Sequence, residues 1–220
     1  MGTLDASADY LDARSKLLDA ERALLEACEQ VAALRRQLPA GATMPEYVFD
    51  EGPPDLTVDE PVVRTSLAEL VNDRSLVVYH KMYGADWEDG CPSCSMWVDG
   101  LHGVSHHLAR RVDLVVIAKA PLWRLRAWGR KRGWDGLRLL SSAGNTFNLD
   151  LGVEDEAGNQ WPGLSVFVRD GTSVRHTYST SMIERSMDLL SPLWHVLDLT
   201  PEGRGDWEPA NAYAGRVRGS

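Results

Sequence analysis

The sequence predicts an α/β fold in which helices flank a mixed sheet, and three patterns support this. Strand-like and helix-like segments alternate in the order βαβαβ through the middle of the chain. The near-continuous apolar run at 114–118 is typical of a strand buried on both faces of a parallel sheet. Strand-like segments at 164–168 and 174–178 then flank Asp170-Gly171, a hairpin signature, before a last helix at about 183–197. We therefore expect the last two strands to be antiparallel.

Composition excludes several classes of protein. The chain has 220 residues, 44% hydrophobic and 25% charged, which is enough to bury a core without disulfides or structural metals. Its net charge of −9 argues against binding nucleic acid or anionic membranes, because such a surface repels phosphate. The start lacks the apolar core of a secretory signal, and no run approaches the ~18 apolar residues of a membrane span. We expect a cytoplasmic protein.

Residues 1–40 are predicted to form one long amphipathic helix. Apolar side chains repeat every seven residues in two adjacent rows on one face: Tyr10, Leu17, Leu24, Val31 and Leu38 in the first, and Leu11, Leu18, Leu25 and Ala32 in the second. Four heptads are typical either of a homodimer through this helix or of a helix packed across its own domain. Cys28, near the same face, is expected to be a small buried residue.

The segment after this helix is predicted to be a linker, residues 41–64, with one short strand at 47–49. Five prolines exclude a helix here: Pro39, Pro45, Pro53, Pro54 and Pro61. The main domain is then assigned to residues 65–202. The Gly- and Arg-containing tail, residues 203–220, is expected to be flexible.

The first half of the main domain alternates between strands and helices. A helical turn at 66–70 precedes a strand at 76–80, and a glycine-bearing loop leads into a helix from Cys91 to about Arg111. After the strand at 114–118, Pro121 opens a helix that runs to about Arg132. A further strand is expected at 137–141.

Cys91-Pro92-Ser93-Cys94, the only C-x-x-C in the chain, is therefore predicted to lie at a strand-to-helix junction. Pro92 suits the first helical turn, where its missing N–H costs nothing. Cys91 then faces the unpaired N–H groups and the positive end of the helix dipole, which stabilise a thiolate. Cys94, one turn later, is suited to resolve a mixed disulfide. Three carboxylates of the preceding loop oppose this effect and leave the sign of the shift in the Cys91 pKa open: Asp86, Glu88 and Asp89.

Pro162 precedes the first strand of the hairpin. A C-x-x-C at a strand-to-helix junction followed by a proline before a later strand resembles the thioredoxin superfamily, and this resemblance implies that Pro162, in cis, lies beside the C-x-x-C and presents its backbone to the substrate. The position before the strand carries this inference, because only ~5–6% of X-Pro bonds are cis. We expect Trp87, Pro92 and Pro162 to shape the surface on which a substrate docks.

The chain resembles the thioredoxin superfamily, and more closely a bacterial thioredoxin-like family of unknown function (number eight hundred and ninety-nine) described as predicted dithiol-disulfide oxidoreductases. Matching blocks lie at 83–97 (YGADWEDGCPSCSMW), 120–122, 141–144, 162–167, 176–180 and 197–201. Lys119 departs from the family pattern, where arginine is expected, so a bidentate contact is lost. The resemblance implies a thioredoxin-like fold with a long N-terminal helical arm. It also implies redox chemistry by Cys91 and Cys94 without a bound cofactor.

A metal site is the first alternative. Cys91 and Cys94 have the spacing of half a zinc site, although the chain has no second C-x-x-C. With His80 on the preceding strand, or with His102 and His106 on the following helix, they could hold zinc or copper. A solvated helix face is the more ordinary interpretation of the two helix histidines.

A specialised biosynthetic enzyme with a Trp-lined cleft is the second alternative. Trp87 and Trp97 bracket the dithiol and could form the walls of an apolar groove. The chain has no G-x-S-x-G, P-loop or G-x-G-x-x-G motif, so hydrolase and nucleotide-binding functions have no support. Four other tryptophans are expected in core or edge packing: Trp123, Trp128, Trp134 and Trp194. Disulfide exchange with a protein or small-molecule disulfide remains the primary hypothesis, with neither nucleic acid nor membrane as a partner.

Overall fold

The computed structural model describes residues 6–181 and 186–213, and the chain divides into two units, Met1–Pro39 and Ala40–Ser220. The first unit is the helix α1, Ala8–Arg36, whose 29 residues span ~43 Å. The Ser7 hydroxyl accepts a hydrogen bond from the Tyr10 N–H (3.2 Å) and caps its start. No residue of α1 is buried. The expectation of a buried Cys28 is therefore wrong, since its side chain is exposed.

The second unit is built on one mixed sheet with the strand order β2-β1-β5-β4-β3-β6-β7. The strands of the described residues are β1 Val48–Glu51, β2 Val63–Ser66, β3 Leu76–His80, β4 Asp113–Ala118, β5 Arg138–Ser141, β6 Gly163–Asp170 and β7 Ser173–Ser181. β3, β4 and β5 run parallel to one another, and every other neighbouring pair is antiparallel. The predicted α/β class, the parallel centre and the antiparallel hairpin are confirmed.

Helices cover both faces of this sheet. They are α2 Leu67–Leu70, α3 Pro92–Leu108, α4 Leu122–Arg132, α5 Phe147–Asp150, a 3-10 helix Ser186–Leu190 and α6 Pro192–Leu197. Gly133 adopts a left-handed conformation (φ 69°) and ends α4, a role that glycine fills without a steric penalty. Within the described parts of the chain, no helix is long and apolar enough to cross a membrane.

The structure departs from the prediction at both ends of the main domain. The short strand predicted within residues 41–64 is present as β1, but it pairs with β2 and β5 and so belongs to the sheet. The last helix is split, because Pro192 cannot donate the backbone hydrogen bond that a continuous helix needs and instead opens α6. Residues 183–185 of that predicted helix lie outside the described residues.

Alternation along β3 divides the core into two layers. Tyr79 packs on the side of the sheet that carries Cys94, Trp97 and Trp128. Val78, one residue earlier, points to the opposite layer. Because successive side chains of a strand alternate between faces, each residue of β3 is committed to one layer.

A homodimer through α1 remains a prediction, and analytical ultracentrifugation of the full chain tests it. We expect the wild type to sediment as a dimer and Leu17→Lys/Leu24→Lys to sediment as a monomer, because each lysine puts a charge into the apolar rows. Ala23→Lys/Gln30→Lys is the matched control, since it adds the same charges on the other side of the helix. A monomeric wild type, or equal dissociation of the two variants, would contradict the prediction.

Candidate functional site

The dithiol lies at the start of α3, after the loop that follows β3. Cys91 is the N-cap residue of α3, and Pro92 occupies the first helical position. The Cys91 N–H donates to the Met82 carbonyl (3.2 Å), which fixes the loop between strand and helix. Cys91 is half-buried, whereas Cys94 is completely buried. Both cysteines are free thiols at the predicted junction.

The two thiols have opposite electrostatic environments. The Cys91 pKa is lowered to about 6, chiefly by the hydrogen bond with the Cys94 side chain. Burial acts in the opposite direction, while the backbone N–H groups of Ser93 and Cys94 and the positive charge of Lys81 lower the pKa further. Burial raises the Cys94 pKa well above its ordinary value, and the hydrogen bond and negative charge of Cys91 raise it further. Cys91 is therefore suited to be the thiolate and Cys94 the thiol at neutral pH.

The carboxylates of the loop before Cys91 are not among the causes of the shift in the Cys91 pKa. Asp86, Glu88 and Asp89 are all exposed to solvent. The pKa of Cys91 is set by its partner thiol, by the helix start and by Lys81. The Cys91 pKa, whose direction of shift the sequence left open, is thus lowered.

Lys81 is the functional residue that sequence reasoning missed. Its side chain is only 1% exposed, and its Nζ donates to Ser95 Oγ (3.1 Å) and to the Cys91 carbonyl (3.4 Å). Burial lowers the Lys81 pKa to about 8, against the raising effect of the cysteine charges. A lysine that follows a strand ordinarily faces solvent, so the sequence around Lys81 does not indicate that it is buried. The one related feature is the glycine at position 90, because a Cβ there would lie 2.8 Å from the Lys81 Nζ.

Tyr79 also faces the dithiol. It is completely buried in the same core cluster as Cys94, and its hydroxyl has no hydrogen-bond partner within the described part of the chain. Burial raises the Tyr79 pKa well above 10, and the charges of the cysteines raise it further. In return, its hydroxyl lowers the pKa of Cys94. The protonated hydroxyl is thus available to stabilise a Cys94 thiolate.

His80 does not join the cysteines. It follows Tyr79 in β3 and points to the other face of the sheet, where its Nε2 hydrogen-bonds Ser165 Oγ (2.8 Å) and its ring packs on Phe147 (5.6 Å). On α3, His102 Nε2 instead hydrogen-bonds the carbonyl of Asp135 (2.9 Å). His106 stacks on its neighbour His107 (3.9 Å). Among the described residues, no three His, Cys, Asp or Glu side chains converge as a metal site would require.

Pro162 differs from the expectation. Within the described ranges, the only cis peptide bond is Glu60-Pro61, so the bond before Pro162 is trans. Gly163 pairs with the last residue of β3, and the Gln160 side chain accepts a hydrogen bond from the Tyr83 N–H (3.0 Å). The segment therefore runs extended beside β3, and Pro162 itself is buried.

Trp128 and Trp134 are buried in the core as expected, whereas other tryptophans take different places. Trp97 is 4% exposed and belongs to the core, so it does not form a groove with Trp87. Trp87 is 36% exposed and packs over Gly84, where a Cβ would lie 2.5 Å from its indole nitrogen. Trp123, expected in packing, is 63% exposed. It lines a pocket of about 400 Å³ with Tyr83, Asp86, Glu88, Asp89, Arg124, Ala127, Trp128 and Lys131.

The C-terminal segment reaches the same loop. The Asn211 side-chain amide donates to the Gly90 carbonyl (3.0 Å), immediately before Cys91. Arg132 of α4 donates to the Asn211 carbonyl (3.2 Å) and holds the segment in place. Asn211, which belongs to the predicted flexible tail, thus contacts the loop that leads to Cys91.

Comparisons with known proteins agree with this architecture. The family model described as a bacterial protein of unknown function (DUF899) matches residues 3–216. Among curated proteins, none matches the chain. Three similar solved structures share a TM-score of 0.50. Peroxidoxin BcpB of Mycobacterium tuberculosis is 19% identical, over 66% of this chain and 86% of that one.

The other two are thioredoxin peroxidase I of Plasmodium yoelii and AhpC of Enterococcus faecalis. The first is 17% identical, over 80% of this chain and 100% of that chain. The second is 13% identical, over 69% and 91% respectively. At these identities the likeness establishes the fold alone. The predicted thioredoxin-like fold is confirmed.

The buried, uncharged His80 gives a prediction about stability. Burial lowers its pKa to about 3 in the folded protein, so below pH ~6.5 the unfolded chain binds a proton that the folded chain does not. Its contribution is complete above pH ~6.5 and is lost as the pH falls, by up to about 1.4 kcal/mol per pH unit. We expect urea unfolding between pH 7 and 5 to show a shallower pH dependence for His80→Gln than for the wild type. His102→Gln is the control. Parallel curves for all three proteins would disprove the effect.

Proposed function

Because the chain belongs to the DUF899 family, a bacterial family of unknown function, we propose its activity from its own site. The protein is a thiol–disulfide oxidoreductase that uses Cys91 and Cys94. One observation carries this proposal: the pKa of the half-exposed Cys91 is lowered to about 6 while that of the buried Cys94 is raised. A reactive thiolate next to a protected thiol is the arrangement that two-step disulfide exchange needs.

The reaction follows from this asymmetry. The Cys91 thiolate attacks one sulfur of a substrate disulfide, a Cys91–substrate disulfide forms, and the other substrate sulfur leaves as a thiolate. Cys94 then loses its proton and attacks the Cys91 sulfur, which releases the second substrate sulfur. The two electrons that reduce the substrate come from the dithiol, which ends as a Cys91–Cys94 disulfide. The proton from Cys94 and one proton from solvent convert the two leaving thiolates into thiols.

The proposed substrate is a disulfide in a protein or small molecule. Trp87 and Pro92 flank the accessible side of Cys91 in the sequence, and both are at least partly exposed. The pocket lined by Tyr83, Trp123 and Trp128 borders the loop that leads to Cys91, so it extends the proposed docking surface. Pro162 is buried and is left out of this surface. We place the activity in the cytoplasm, where a reducing milieu keeps both thiols reduced.

Cysteine variants test the reaction directly. In insulin-disulfide reduction with dithiothreitol as electron donor, we expect Cys91→Ser to lose about 100-fold or more of the activity, because no other thiolate is available at the helix start. Cys94→Ser should accumulate a Cys91–substrate disulfide that mass spectrometry detects. Cys28→Ser, which alters an exposed thiol of α1, is the control and should keep full activity. Full activity of Cys91→Ser would refute the proposal.

The pH dependence of alkylation tests the thiolate. We expect the rate of iodoacetamide modification of Cys91, followed in a Cys28→Ala background, to reach half its maximum near pH 6, where the pKa of Cys91 lies. Below this pH the thiol is protonated, so the rate falls. Cys94 should remain unmodified because it is buried. A midpoint near the ordinary thiol pKa of ~8.5 would contradict the assignment.

A further inference from the structure

Lys81 is a buried cation without a carboxylate partner. Its Nζ contacts two oxygen atoms, Ser95 Oγ and the Cys91 carbonyl, and both are uncharged. Three aromatic rings enclose it at 5.7–5.9 Å from their centroids, those of Tyr83, Trp128 and Trp134. Within the described residues, no carboxylate lies within salt-bridge distance of this ammonium. A buried ammonium is costly unless an anion nearby compensates its charge, and few anionic groups surround Lys81.

The dithiol is the anion that remains. The charges that act on Lys81 are those of Cys94 and Cys91, which favour its protonation, and then those of Arg132 and Asp99, which have opposite signs. Arg132 and Asp99 form an ion pair with each other, so their effects on Lys81 largely cancel. The protonation of Lys81 therefore depends on whether the two sulfurs carry negative charge.

We propose that Lys81 accepts the proton that Cys94 loses when it resolves the mixed disulfide. This inference rests on the proposed function and adds to it the group that makes the second step possible. The second step needs such a group, because the Cys94 pKa is raised by burial and few Cys94 thiolates exist at neutral pH.

The first step prepares the acceptor. While Cys91 is a thiolate, it favours the ammonium form of Lys81. Once Cys91 is bound in the mixed disulfide, that negative charge no longer raises the Lys81 pKa, so the lowering by burial is less opposed. Lys81 releases its proton to the first leaving thiolate through solvent and becomes a neutral amine.

The proton transfer then creates no net charge in the core. A Cys94 thiol and a Lys81 amine become a thiolate and an ammonium, whose attraction offsets part of the cost of burying each ion. The Tyr79 hydroxyl, which lowers the pKa of Cys94, stabilises the same thiolate. The thiolate attacks the Cys91 sulfur, and the second substrate sulfur leaves. Lys81, again a cation without an anion, returns its proton to that leaving thiolate through solvent.

Ellman's reagent separates the two steps in the full chain carrying Cys28→Ala. Attack by Cys91 releases one thionitrobenzoate in a first phase, and resolution by Cys94 releases a second in a later phase. We expect Lys81→Met to slow the second phase about 100-fold at pH 7, at the low end of what a positioned base contributes. The first phase should change only a few-fold, because the pKa of Cys91 depends mainly on Cys94 and on the helix start.

Two further variants distinguish proton transfer from charge alone. Lys81→Arg keeps a positive charge but does not give up a proton, so it should be as slow as Lys81→Met in the second phase. Lys16→Met removes an exposed lysine of α1 that pairs with Asp12 (2.6 Å) and has no part in the proposed site. It should leave both phases unchanged and serves as the control for the loss of a lysine.

The wild type gives a measurement that needs no folded variant. With Lys81 as acceptor, its second-phase rate should level off above pH ~8, where the amine is fully formed. Without it, the rate should still rise above pH ~9, since an unassisted Cys94 has a raised pKa.

Three results would overturn the inference. They are a second phase of Lys81→Met within about threefold of the wild type, a second phase restored by Lys81→Arg, or a wild-type rate that still rises above pH ~9. A first phase that persists in Cys91→Ser would instead refute the proposed function. A normal first phase, together with a second phase whose rate does not depend on Lys81, would refute this inference and leave the proposed function standing.

Discussion

The burial of one lysine behind the start of α3 shapes most of the surrounding structure. Removing an ammonium from water costs several kcal/mol unless its donors are satisfied. Here Ser95 Oγ accepts from Lys81 and from the Trp128 indole (3.0 Å), and it donates to the Cys91 carbonyl (2.9 Å). The same hydroxyl thus links the helix that carries the dithiol to α4. A substitution at Ser95 would disturb the lysine, the tryptophan and the N-cap together.

The alternation of side chains along β3 assigns each buried polar group its role. Tyr79 faces the sulfurs, whereas His80 faces Ser165 and the Phe147 layer. Lys81, just past the end of the strand, turns back to the dithiol side. Three consecutive polar residues therefore serve two separate layers, and a shift of one residue in the register of β3 would exchange their surroundings.

The sequence allowed us to predict those features that depend only on residues close together in the chain. The N-cap position of Cys91, the helix opened by Pro92 and the hairpin at Asp170-Gly171 all follow from short-range rules. Features that depend on distant packing could not be predicted in this way. Lys81 is buried because Trp128 and Trp134, about fifty residues later in the chain, cover it and Gly90 leaves room. Trp97 is in the core because α3 presents that face to the sheet.

The hydrogen bond from Asn211 to the Gly90 carbonyl has a practical consequence for shortened versions of the protein. A chain cut after α6 keeps every strand of the sheet and both cysteines, yet it loses the amide that holds the peptide next to the nucleophile. A difference in thiol reactivity between a trimmed chain and the 220-residue chain thus reports a loosened loop rather than a missing domain. Reactivity measured on the 220-residue chain is the proper reference for its chemistry.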